Sequence, residues 1–130
     1  MIYEVIVGSV EDAIAAERGG ANRLEIISHY KAGGLTPSLD LVREIVGIVK
    51  IPARVMVRDE ESFVVTDEKK IERLCEAARS FQELPIDGFV LGFLKGNEID
   101  HGLVARVLAC APELKATFHR AFDQKYEGRQ

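Results

Sequence analysis

Short apolar runs alternate along this chain with longer stretches whose apolar positions recur at helical spacing. Ile2–Val7, Arg23–Ile27, Ala53–Val57, Ile86–Leu91 and Leu114–His119 read as strands. Ser9, with Asp12 three residues on, forms a capping-box start to a first helix that Gly19-Gly20 closes. A second helix follows Thr36-Pro37-Ser38 and carries Leu41, Val42, Ile45, Val46 and Val49 on one side. The third runs from Asp67 to Phe81, with Ile71, Leu74, Cys75, Ala78 and Phe81 opposite a charged face. Asp100 caps a fourth, which carries Leu103, Val107 and Leu108. This alternation predicts an α/β fold with a parallel sheet and right-handed crossovers.

Two layouts suit that order: a doubly wound open sheet, or the first part of a TIM (β/α)8 barrel. A whole barrel needs roughly 200 residues or more, and this chain has 130. Strand contents favour the barrel. Open parallel sheets bury both faces and read as nearly continuous Val, Ile and Leu, whereas Glu4, Arg23, Glu25, Arg54 and Arg58 interrupt three of these strands. Counting by two aligns Glu4 with Ile6 and Gly8, Arg23 with Glu25 and Ile27, Arg54 with Met56 and Arg58, and Thr117 with His119. Charges gathered on one face suit a barrel lumen, where they can pair. Under an apolar helix they would be costly.

Composition narrows the class. One domain spanning residues 1–130 is expected from the length, with 47 % hydrophobic and 29 % charged residues. A net charge of −4 offers no pull toward nucleic acid or anionic membrane. No apolar stretch approaches the roughly 20 residues of a membrane span. Met1-Ile2-Tyr3-Glu4 lacks the basic start of a secretory signal. Cys75 and Cys110 make no disulfide framework, so a cytoplasmic setting is expected.

The chemistry concentrates in Thr117-Phe118-His119-Arg120-Ala121-Phe122-Asp123, at the end of the last strand, where α/β proteins present their sites. Arg23, Arg54, Arg58 and Arg120 make a fork-shaped receptor for a small anion. Glu4 and Thr117 line the same face as binding residues. Glu25, His119 and Asp123 supply the acid–base set of an enzyme reading. The alternative for the charged cluster is an internal ion-pair network without chemistry. Gly33–Ser38 either cradles an anion with backbone N–H groups or is a turn and cap. Asp59-Glu60-Glu61 reads as a solvated loop, and Phe93 and Leu94 either close over a pocket or pack. Cys75 reads as core packing and Cys110 ends the fourth helix, so neither points inward. His101 reads as solvated.

Six segments together carry a resemblance. They are Glu4-Val5, Gly20–Glu25, Gly33–Ser38, Met56-Val57-Arg58, Asp87–Gly92 and Thr117–Asp123. In that order, from residue 2 to about 123, the chain resembles the CutC family of copper homeostasis proteins, whose members are TIM barrels. The resemblance implies copper handling. The family carries cysteines associated with copper in some members where this chain has Ile6 and Ile27. The loop after Arg58 also departs, with Asp59–Ser62 in place of Pro-Arg and a glycine-rich turn. Inward donors that suit copper are then Met56 and His119, with His29 in the loop after the second strand. Family members are longer, so this chain is expected to be a fragment, or to associate with a second copy that covers the open side of a partial barrel.

Overall fold

Five parallel strands join into one sheet in the order in which the chain makes them. The computed structural model describes residues 3–32, 34–58, 65–91, 93–95 and 98–117. Strand β1 is Glu4–Val7, β2 Arg23–Ile26, β3 Ala53–Met56 and β4 Gly88–Val90. Helices α1 (Val10–Arg18), α2 (Leu39–Ile48) and α3 (Glu68–Phe81) connect them. After β4 come two short antiparallel strands, β5 (Leu94–Lys95) and β6 (Glu98–Ile99), then α4 (His101–Ala109) and β7 (Lys115–Thr117). The sheet order is β1-β2-β3-β4-β7.

Local chemistry starts each helix. Ser9 accepts from the Asp12 N–H at 3.1 Å and Ser38 from the Leu41 N–H at 3.1 Å. Asp67 accepts from the Lys69 N–H at 2.8 Å, and Asp100 from the Leu103 N–H at 3.0 Å. Each cap satisfies a donor that the first helical turn leaves without a partner.

Burial separates the two faces of the sheet. Leu24, Ile26, Val55 and Phe89 share one apolar cluster with Ala13 of α1, Val42 and Ile45 of α2, Leu74 and Ala78 of α3, and Leu103 and Val107 of α4. All four helices therefore cover the same side. Ile27, Met56 and Val90 form a separate small cluster. A doubly wound sheet reverses its strand order at a switch point and carries helices on both faces. Among the described residues neither feature is present, and that alternative falls.

Strands β2, β3 and β4 are one to three residues shorter than the sequence pattern, because the ladder ends where pairing ends. The β5–β6 hairpin and a 3-10 turn at Tyr30–Ala32 were not legible as runs of period two. Phe93 is 1 % exposed and belongs to the helix-side core; it packs rather than closing over a pocket.

Candidate functional site

Register decides which side chains meet. Glu4 pairs with Arg23 across β1 and β2, and Ile6 with Glu25 in the next polar row. That row continues through Arg54 on β3 to Gly88 on β4. Side chains in one row of a parallel sheet point to the same side. The intervening rows, Val7-Ile26-Val55-Phe89 among them, face the helices. The acidic and guanidino groups thus gather on the helix-free face, as period-two counting predicts.

The guanidinium groups there are engaged within the chain. Arg23 Nε donates to Glu4 Oε2 at 2.6 Å. Arg54 Nε donates to Asp87 Oδ2 at 3.2 Å. Arg58 Nη1 donates to the Gly34 carbonyl at 3.2 Å. The ion-pair-network reading of the charged cluster accounts for the first two. Glu25 and Arg58 are the charged residues that burial reaches among those described, at 7 % and 5 % exposure. Burying charge is costly, so these two mark the interior of the polar face.

The loop after β2 is pinned to the end of β3. Thr36 donates from its N–H to the Arg58 carbonyl at 2.8 Å, while its hydroxyl accepts from the Arg58 N–H at 2.8 Å. Leu35 and Ser28 exchange backbone hydrogen bonds, and the Gly34 N–H donates to the His29 carbonyl. The N–H groups of 34, 35 and 36 are satisfied internally, which favours the turn and cap over an anion cradle there, and Gly33 lies outside the described residues. Ser28 Oγ donates to the Thr36 carbonyl at 2.9 Å and lies 2.8 Å from His29 Nδ1. Since that hydroxyl has one proton to give, the ring donates from Nδ1. His29 is exposed and has φ +50°.

Met56 is 2 % exposed, between Ile27 and Val90. Its thioether is a soft donor in an apolar setting. Thr117 is placed by its backbone, opposite Val90. His119, Arg120 and Asp123 lie outside the described residues, as do Asp59, Glu60 and Glu61. Among the described residues no group of three or more His, Cys, Asp or Glu side chains converges to hold a metal ion. No helix among them is long and apolar enough to cross a membrane. Sequence reasoning missed Thr36 and Asp87 as partners of the arginines. Thr36 was legible only as part of a helix start.

Comparison with known proteins agrees with this fold. The family model described as CutC family matches residues 1–129. A human protein named copper homeostasis protein cutC homolog is 37 % identical over 127 residues, covering 97 % of this chain and 46 % of that protein. A CutC family protein of Xylella fastidiosa is 38 % identical over 121 residues, covering 92 % of this chain and 45 % of its own length. The crystal structure of a CutC protein from Streptococcus agalactiae superposes with a TM-score of 0.82 at 28 % identity, over 95 % of this chain and 61 % of that one. The chain therefore spans about half the length of the relatives it matches in sequence. On the reach of the family model and the agreement in sequence and fold, this chain belongs to the CutC family.

Proposed function

We propose that this chain handles copper in the cytoplasm as part of a copper homeostasis protein. One observation carries the reading: the 37 % identity to the human copper homeostasis protein cutC homolog runs along 97 % of the chain. Met56 supplies the inward thioether that Cu(I) favours, and the proposal assigns His119 as its partner. The five strands are read as the opening of an eight-stranded TIM barrel, supported by sheet order following chain order and by helices confined to one face. Further strands then cover the edges at β1 and β7; for the chain by itself, a second copy supplies that cover.

Cu(I) competition against a chromophoric chelator tests the copper reading. The chain should retain Cu(I), and Met56→Leu or His119→Ala should remove one equivalent. A wild-type chain that surrenders all copper would sink it. Size-exclusion chromatography tests the association, which a well-dispersed monomer would refute.

The second reading is an enzyme acting on a small anion, with Glu25, His119 and Asp123 as the acid–base set. It draws support from Glu25 and Arg58 being buried on the polar face. Arg23, Arg54, Arg58, Arg120, Glu4 and Thr117 would surround the ligand. Calorimetric titration with inorganic phosphate should then give binding that Arg58→Met abolishes.

A further inference from the structure

The helix side of the sheet carries a sulfur pair that the polar face does not use. Cys75 on α3 and Cys110, the residue closing α4, line one cavity of about 320 Å³ with Glu72, Glu76, Arg79 and Arg106. Both cysteines are free thiols, Cys75 buried and Cys110 half-buried. The Cys110 thiol is a close neighbour of Cys75. Arg79 Nη2 donates to Cys110 Sγ at 3.6 Å, and the Cys110 thiol donates to the Arg106 carbonyl at 3.6 Å. Residues 35 apart in sequence thus bring two sulfurs and two guanidinium groups to one place, because α3 and α4 pack side by side.

We propose that Cys75 and Cys110 form a Cu(I) site between α3 and α4. The choice of copper rests on the copper-handling reading above; the choice of site rests on this cavity. Thiolate sulfur is the ligand type that selects Cu(I) over harder ions, and a monovalent soft ion accepts two thiolates in line. Binding is a ligand exchange without redox change. Each thiol gives up its proton to solvent, two sulfur–copper bonds form, and the complex carries one net negative charge. Arg79, whose guanidinium reaches Cys110 Sγ, stands beside the sulfurs to balance that charge, while the carboxylates of Glu72 and Glu76 are hard donors that Cu(I) passes over.

Protonation also separates this site from a redox switch. Burial, then the neighbouring Cys110 thiol, pushes the Cys75 thiol up to about 11, against the pull of Arg79 and Arg106. A thiol held protonated at neutral pH is a slow partner in disulfide exchange. A soft metal ion can still displace its proton, as coordinated thiols are deprotonated outright.

The test is anaerobic Cu(I) competition against bicinchoninate on the reduced chain, on a Cys75→Ser/Cys110→Ser variant and on a Met56→Leu/His119→Ala variant. The Met56/His119 variant should keep one equivalent, and the double serine variant should lose that equivalent with at least a tenfold drop in retention. Copper X-ray absorption on the loaded Met56/His119 variant should show a shell of two sulfurs; this reading does not depend on how the serine variant folds. A double serine variant that holds as much copper as wild type overturns the site and leaves the copper reading standing. A nitrogen or oxygen shell in the Met56/His119 variant also overturns it. A wild-type chain that retains no copper overturns both.

Discussion

Thr36 and Arg58 hold each other by three hydrogen bonds: the Thr36 N–H and hydroxyl both reach the Arg58 carbonyl, and the Arg58 N–H reaches the Thr36 hydroxyl. That clasp ties the loop after β2 to the end of β3, where the polar face is buried.

Replacing Thr36 by Val keeps the shape and removes the hydroxyl. The Arg58 N–H then loses its acceptor beside a buried side chain, which costs about 1–3 kcal/mol. Urea denaturation of Thr36→Val should show that loss without a change in the slope of the transition. An unaltered midpoint would show that water replaces the hydroxyl.

Two glycines should respond in opposite directions. Gly34 has φ +98°, and a Cβ there would meet Ile27 Cγ2 at 3.2 Å. Gly34→Ala should therefore destabilise by about 1–3 kcal/mol. Gly47 lies within α2, where a Cβ meets nothing within 4 Å, so Gly47→Ala should stabilise by about 0.5–1 kcal/mol. Thermal melts of the two variants check the pair, and shifts of the same sign would contradict it.

Glu68 and Arg106 join α3 to α4 through two hydrogen bonds, at 2.8 and 2.9 Å. The Arg106 guanidinium, by hydrogen bonding first and charge second, holds the Glu68 carboxyl below its ordinary range. A depressed carboxylate contributes stability above its unfolded value and loses that contribution as pH falls through the folded one. Both side chains are largely exposed, so the effect on stability is small. An NMR titration should find the Glu68 midpoint low in wild type and returned to the usual range in Arg106→Gln. A low midpoint in both would remove Arg106 as the cause.

Ile6 and Ile27 lie on adjacent strands two rows apart, on the same face, the Ile27 N–H donating to the Val7 carbonyl at 3.0 Å. Cysteines at these positions, as in the family pattern, should meet on the helix-free face. In a chain without the Cys75 and Cys110 thiols, Ile6→Cys/Ile27→Cys should gain one equivalent of Cu(I) in chelator competition. No gain would mean that the two positions do not converge.

Much of the architecture was legible because its causes are local. A cap such as Ser38 or Asp100 acts within three residues of itself, so its sequence signature is complete. Likewise, Glu25 must fall on the same side as Arg23 once the segment is extended. The β5–β6 hairpin was harder, since two-residue strands such as Leu94–Lys95 are too short to show a period. The partners of Arg54 and Arg58 were not legible. Asp87 meets Arg54 only because β3 and β4 pair, and Thr36 meets Arg58 only because the loop folds back across the sheet.

The amino-acid order by itself determined the alternation of strands and helices, the helix starts and the segregation of charge from apolar side chains, each a consequence of backbone geometry over a few neighbouring positions. Tertiary structure alone decided that Asp87 meets Arg54, that Thr36 clasps Arg58, and that Cys75 and Cys110 share a cavity. Those outcomes depend on how distant segments exclude water together, and no local spacing encodes that.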